Sequence, residues 1–300
     1  MEWLVTLAQS AIQSGPNMAL IVSVYKGLKH ILAPFKPLYD AWVDEKVKDY
    51  AAKREQERLK DNKLELLKFA AELAKNDEGK YPESISAHCR NLMKIAKFTT
   101  EFINDDEKPE EWKDDDEWVE RFFQEAQFVT DEELQKLWAR LMKEKLYKPS
   151  TVNKRVVYMV RDMDRDDLQF VSRTMKYFVE NSIPRKLLEE IGTMSSDIIQ
   201  LAELGFVLPL EVTSEQTFDD VKEGESVEIP LKGYEMKLKK TGDTDNNKFC
   251  FLGFSLTQEG KVVYNLIQDR LTEEEAQKYK EFFREIYKDH FEVTLEKKSK

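Results

Sequence analysis

The stretch from Thr130 to Phe178, TDEELQKLWARLMKEKLYKPSTVNKRVVYMVRDMDRDDLQFVSRTMKYF, reads as three amphipathic helices joined by short turns. Thr130 and Glu133 have the spacing of a capping box, in which side-chain oxygens take up the free N–H groups of a helix start. Leu134, Leu137, Trp138, Leu141 and Met142 then recur on one helical face. Pro149 and Ser150 interrupt the chain, and Val152, Val156, Val157 and Val160 begin a second stripe. Asp164 can cap a third helix, whose stripe is Leu168, Val171, Met175 and Phe178.

Working outward, the whole chain of 300 residues has room for two domains, or for one with an extension. At 41% hydrophobic and 35% charged residues it has a soluble, helix-leaning composition. Its net charge of −11 repels nucleic-acid phosphates, so a nucleic-acid role needs a local basic patch. Cys89 and Cys250 lie too far apart in sequence for a zinc motif or a disulfide framework, which fits a reducing, cytoplasmic setting. The most apolar early run, Met18 to Tyr25, is far shorter than the about 20 residues of a membrane span. Glu2 is acidic where a signal peptide is basic.

Gly15-Pro16 separates two short apolar segments within residues 1–35, marked by Trp3, Leu4 and Leu7, then by Leu20, Ile21, Val24 and Leu28. Lys26, Lys29, His30 and Lys36 decorate the second. Docking on the protein core or on another subunit is the favoured reading, and lying on a membrane surface the sharper one. A long helix is expected from about Leu38 to Asn76, apolar at both ends and polar throughout Ala51 to Lys63. A helix polar on all sides is solvated there. The next helix is expected from Pro82 to about Phe102, with Ile85, Cys89, Leu92, Met93 and Ala96 inward. Adjacent His88 and Cys89 point in different directions, so a surface histidine and a core cysteine are favoured over a metal pair.

Asn104 to Glu120 holds ten carboxylates. A solvated loop running into a helix N-terminus near Asp114 accounts for them better than calcium does, with Trp118, Phe122, Phe123 and Ala126 buried beyond it. Asp162, Asp164, Asp166 and Asp167 have EF-hand-like spacing, but Asp167 stands where the glycine belongs and Arg173 where the glutamate belongs. Calcium is therefore rejected. Arg155, Arg161 and Arg165 are read as partners of the local aspartates.

From Ile183 the texture changes. A short helix is expected over Pro184–Gly192 and another over Asp197–Leu204, capped by Ser195 or Ser196 and closed by Gly205. Phe206-Val207-Leu208 looks strand-like. SVEIPL, YEMKLKK and KFCFLGFSL are β material, Gln258–Arg270 is helical, Thr272 and Glu275 form a capping box, and Phe291–Leu295 is a final strand. This order, with "IIQLAELGFVLP" and "FSLTQEGKVVYNLI", resembles winged-helix proteins over about 165–270. A recognition helix needs cations for phosphates and bases. The candidate offers Asp197, Gln200 and Glu203 instead. Near the candidate wing, Thr241–Asn247, stand Lys237, Lys239, Lys240 and Lys248. Protein–protein use of this module is favoured over DNA.

The chain has no G-x-S-x-G, G-x-x-x-x-G-K-[ST], H-E-x-x-H or G-x-G-x-x-G, and His30, His88 and His290 are isolated. Four stretches together carry a family resemblance: FQEAQFVTDEELQKLWARLM (Phe123–Met142), VVYMVRDMDRDDL (Val156–Leu168), LAELGFV (Leu201–Val207) and LTQEG (Leu256–Gly260). Over about 115–270 they resemble uncharacterised bacterial proteins similar to the Abi-alpha abortive-infection proteins. The resemblance implies a role in antiphage defence and supplies no catalytic residues.

The expectation is a mainly α protein, with a helical N-terminal and central region and a C-terminal α+β winged-helix-like module. The expected divisions are 1–80, 81–163 and 164–296. It is read as a non-enzymatic effector with no catalytic, cofactor-binding or metal residues. A protein partner or self-association is expected, with nucleic acid as the alternative. The setting is cytoplasmic, with peripheral contact at the inner membrane through residues 1–35 as a further reading. The interaction candidates are Trp3, Leu7, Leu28, Lys29, Lys237, Lys239 and Lys240.

Overall fold

The computed structural model describes residues 29, 32–33, 36–46, 63–75, 80–103, 110, 115–179, 181–192, 195–217, 221–241, 248–288 and 290–298. Trp3, Leu7, Leu28, the expected Gly15-Pro16 break and the polar middle of the long helix lie outside them. The chain forms two compact units, Met1–Arg165 and Asp166–Lys300. It is mainly α-helical, with two small antiparallel three-stranded sheets in the C-terminal unit. No helix of the described residues is long and apolar enough to cross a membrane.

In the first unit the described helices are α1 (Lys36–Lys46), α2 (Lys63–Lys75), α3 (Glu83–Phe102), α4 (Asp116–Ala126), α5 (Glu132–Tyr147) and α6 (Lys154–Arg161). The two ends of the expected long helix thus appear as α1 and α2. Helix α3 packs along α2 and α5, and α4 packs against α3 and α6. The stripe of α5 is buried, as are Val152, Val156, Val157 and Val160. Aromatic rings fill the centre: Trp118 stacks on Phe122, whose ring meets Trp138 edge-on, both at 5.0 Å between centroids. Such pairs add directional packing to plain area burial. Met93, expected inward, is only half-buried, while Ile95 and Thr99 complete the buried face of α3.

Two buried polar devices hold the connections. Asn91 Nδ2 donates to the Gln127 carbonyl (2.8 Å) and Gln135 Nε2 to the Val129 carbonyl (2.8 Å), so α3 and α5 together satisfy the α4–α5 turn. Lys145 is 3% exposed. Its ammonium donates to Asp115 Oδ2 (2.9 Å) and to the carbonyls of Pro149 (2.9 Å) and Val152 (3.1 Å), and lies 5.1 Å from the Trp118 ring. A buried ammonium is tolerated only when its donors are all engaged. Here they pin the start of α4 to the α5–α6 turn. Asp115 also caps α4, accepting from the Trp118 N–H (3.1 Å).

Helix α5 starts differently from the expected capping box. Asp131, not Thr130, is the N-cap, and its carboxylate accepts from Glu133 N (2.9 Å) and Leu134 N (3.1 Å). An aspartate there adds a negative charge at the positive end of the helix dipole. Asn153 caps α6 in the same way. The expected pairing of arginines with local acids holds for Arg161, bidentate on Asp162 at 2.7 and 2.8 Å, and for Arg165, 3.9 Å from Asp131.

The second unit contains α7 (Arg165–Met175, from the unit boundary), β1 (Ser182–Pro184), α8 (Arg185–Ile191), α9 (Ser195–Glu203), β2 (Val212–Thr217), β3 (Ser226–Leu231), β4 (Tyr234–Lys240), β5 (Lys248–Ser255), α10 (Gln258–Leu266), α11 (Glu273–Tyr287) and β6 (Phe291–Lys297). The strand orders are β1-β5-β2 and β3-β4-β6. Ile183 faces Phe254 and Glu215 faces Cys250 in the first sheet; Leu238 faces Val293 in the second. The segments SVEIPL and YEMKLKK pair as β3 and β4 and take the C-terminal strand β6 as their third, whereas YEMKLKK and KFCFLGFSL, which flank the candidate wing Thr241–Asn247, fall in different sheets and do not pair as a wing hairpin would.

Several boundaries move. Leu168 is half-buried, and Phe170 joins Val171, Met175 and Phe178 in the core. Helix α9 begins at Ser195, before either serine can cap it. Phe206–Leu208 forms only a single bridge, Val207 to Leu256. Helix α10 stops at Leu266 rather than Arg270: Ile267 is extended, and Lys232 Nζ donates to the carbonyls of Tyr264 and Ile267 left free there, at 2.7 and 3.1 Å. The Thr272–Glu275 capping box is present as expected.

Replacing Asp131 by Ala should destabilise the protein by about 1 kcal/mol in chemical denaturation, whereas Thr130→Ala should be close to neutral. Lys145→Ala should cost about 3 kcal/mol, since two turn carbonyls lose their donor. Burial raises the Asp115 pKa, but the Lys145 hydrogen bond, the Trp118 N–H and the charges of Lys145 and Lys154 outweigh it, and the carboxyl titrates below its usual value. A group depressed in the folded state contributes stability above its unfolded pKa and loses it as pH falls through the folded one. Asp115→Asn should therefore flatten the acid limb of the stability–pH curve below about pH 4.

Candidate interaction groove

Two short glycine-ended motifs, LAELG (Leu201–Gly205) and LTQEG (Leu256–Gly260), meet in space. Gly205 closes α9 with φ +84°, a conformation that glycine adopts at low cost. Thr257 caps α10, its Oγ1 accepting from Gly260 N (2.9 Å) and donating to the Gly205 carbonyl (2.8 Å). Thr257 N donates to the Phe206 carbonyl (2.9 Å). A Cβ on Gly260 would collide with that same carbonyl oxygen. Leu208 N donates to Ser255 O (2.9 Å), which lays the Phe206–Leu208 segment along the end of β5. At Gly253 a Cβ would strike the Ile183 carbonyl, so β1 and β5 also approach closely.

This clamp shapes a groove of about 390 Å³. Helix α8 lines it with Arg185, Leu188 and Glu189, and α9 with Ile198, Ile199, Ala202 and Glu203. Leu208, Pro209 and Glu211 follow from the loop, and Phe254 from β5. Leu188 and Ile198 form a buried floor, while Ile199 is 59% exposed. Arg185 spans the rim, 3.1 Å from Glu189 and 3.0 Å from Glu211. Arg185 and Glu189 also border a second recess with Leu252, Phe282 and Ile286. The groove supplies apolar contact and negative charge, which suits binding more than bond-making chemistry.

The lysines singled out from sequence do not converge on one free basic face. Lys237 is 2.9 Å from Glu296 and 3.8 Å from both Glu228 and Glu235. Lys240 is buried and donates to the Val221 carbonyl (2.9 Å). Lys239 is exposed on the outer face of β4, and Lys29 is exposed in the first unit. The candidate wing residues 242–247 lie outside the described residues. Sequence reasoning passed over the groove because its residues come from α8, α9, a loop and β5; the signal available was the aliphatic Ile199 on a face otherwise polar, with Gln200 and Glu203.

Other clusters of titratable groups have structural employment. Glu275 accepts from Tyr177 (2.5 Å) and, on both oxygens, from Lys176 (3.0 Å), and takes the Thr272 N–H at 2.7 Å. Tyr279 donates to the Tyr177 carbonyl. Burial raises the Glu275 pKa, but these donors outweigh it and keep the carboxyl below its usual value. Burial pushes Lys232, at the end of α10, down to about 8. Burial pushes the Cys89 thiol up to about 12 against the opposing charge of Arg90. His88 packs edge-on against Phe128. Among the described residues no group of three or more His, Cys, Asp and Glu is placed to hold a metal ion.

Residues 81–191 match the model of a family described as a protein of unknown function, DUF2806. The match runs from α3 through α8, less than half of the chain, and so includes the α8 side of the groove but not α9 or β5. It agrees with the expectation of an uncharacterised domain family. No curated protein and no solved structure matches the chain.

Gly260→Ala should cost about 3 kcal/mol through the clash with the Phe206 carbonyl, and Thr257→Val about 1–2 kcal/mol through the lost cap, both read by thermal or denaturant unfolding. Glu275→Ala should cost about 3 kcal/mol by removing the acceptor for three donors. Glu275→Gln should weaken the loss of stability on acidification, since its depressed pKa contributes above about pH 4.3 and fades below it. Cys89 should resist alkylation at pH 8 in the native protein and react only after unfolding.

Proposed function

We propose that this chain is a non-enzymatic interaction or effector protein of bacterial antiphage defence, acting through protein contacts. The observation that carries the binding part is the acid-rimmed apolar groove. The exposed positions of α9 are Ser196, Ile199, Gln200 and Glu203, with no lysine or arginine among them. DNA affinity draws chiefly on phosphate neutralisation, which such a face does not supply. The defence setting rests on the resemblance of Phe123–Met142 and its companion stretches to Abi-alpha proteins. A cytoplasmic location, self-association and membrane contact through residues 1–35 belong to the same reading. Bacteria expressing the chain should form fewer plaques with at least one phage of a diverse panel than an empty-vector control. Equal plaque counts throughout would sink the defence reading.

A second reading is a winged-helix nucleic-acid-binding regulator. The strand order β1-β5-β2, with α7 before β1 and α8 and α9 between β1 and β2, supports it. Exposed Lys239 is its best cation. It requires duplex binding that weakens steeply with salt and falls in Lys239→Glu. Absence of a mobility shift at low salt removes it.

A further inference from the structure

The apolar surface at the groove exceeds what the fold needs. Ile199 and Leu208 are 59% and 39% exposed above a floor in which Ile198 and Leu188 are 3% and 4% exposed. Leu252, 50% exposed, carries apolar surface into the adjoining recess that Arg185 and Glu189 also border. A small apolar molecule filling about 390 Å³ leaves Leu252 and the exposed flank of Ile199 in water, whereas a segment lying across the groove and the adjoining recess covers both.

The rim selects the sign of the visitor. Glu189, Glu203 and Glu211 border the groove, and the single cation, Arg185, is already held between Glu189 and Glu211. Glu203, at the exposed end of α9, has no cation partner among the described residues. Negative potential around an apolar slot repels phosphates and acidic segments and draws in basic ones.

We propose that this groove binds an amphipathic helix of a partner protein, with bulky aliphatic side chains on one face and lysine or arginine beside them. The proposal rests on the reading that the chain acts through protein contacts and names the chemistry of the partner. Aliphatic anchors at helical spacing enter the slot between α8 and α9, and the flanking cations reach Glu203 and the outer oxygens of Glu189 and Glu211. Hydrophobic anchors provide affinity, and the charges provide orientation and discrimination.

The test is fluorescence anisotropy of the full chain with a labelled designed helix carrying leucines at i, i+3, i+4 and i+7 and lysines beside them. The comparison helices replace lysine by glutamate, or leucine by serine. The leucine–lysine helix should bind, and both comparison helices should bind at least about tenfold more weakly. Ile199→Asp and Glu203→Lys alter exposed side chains and should each weaken binding about tenfold with unchanged thermal unfolding. Phe128→Asp, in the other unit, should leave it unaltered. No binding, equal binding of the glutamate helix, binding unaffected by Ile199→Asp and Glu203→Lys, or displacement of the helix by duplex DNA overturns the proposal. Plaque counts separate this from the defence reading. An unprotected wild type with intact helix binding overturns only defence. Protection lost in Ile199→Asp without helix binding overturns only the partner chemistry.

Discussion

The contact on which the C-terminal unit depends is the hydroxyl of Thr257 between Gly205 and Gly260. That side chain caps α10 and bonds the carbonyl of the glycine that closes α9, while the backbone bonds Thr257 N to Phe206 O and Leu208 N to Ser255 O lay the Phe206–Leu208 segment beside β5. Both glycines are there for steric reasons: a left-handed φ at Gly205 and a backbone carbonyl against Gly260. Because Leu208 N bonds to Ser255 O, the same clamp places Leu208 and Phe254 on one wall. The groove is thus a consequence of how two helix ends are joined.

In the helical unit a charge does the comparable work. Lys145 occupies a position on the buried face of α5 and ties Asp115 to the carbonyls of Pro149 and Val152. An apolar side chain would fill that space but leave the turn carbonyls without donors. Such a contact specifies where α4 begins relative to the α5–α6 turn, which hydrophobic burial, being non-directional, does not. Asn91 and Gln135 do the same for the α4–α5 turn, with neutral amides in place of a charge.

Seen from function, the molecule invests its polar chemistry in architecture. Glu275 and its tyrosine and lysine partners, Lys232 at the end of α10 and the Lys240 ammonium against Val221 all satisfy internal groups. What the C-terminal unit presents outward at α8 and α9 is aliphatic surface edged with carboxylates. That combination is the ground for the proposed protein partner, since lipids and nucleic acids bring phosphates to the surface they touch.

The sequence by itself determined the helices of the central region, because stripes at Leu134–Met142 and Val152–Val160 repeat at the helical period and are the residues the core buries. It also carried the Thr272–Glu275 cap and the strands β3, β4 and β6, whose signals are local, though not the pairing of β3 with β4 in a sheet apart from β5. It did not carry β1 or β2: the first is three residues ending in proline, and the second, VTSEQT, lacks apolar alternation, so both become strands only through pairing with β5. The apparent run of cations Lys237, Lys239 and Lys240 looked like one patch, yet strand alternation and the carboxylates of β3, β4 and β6 divide it. Only the tertiary structure decided the groove, since Arg185, Ile199, Leu208 and Phe254 share no period and meet only once a threonine has fastened one helix end to another.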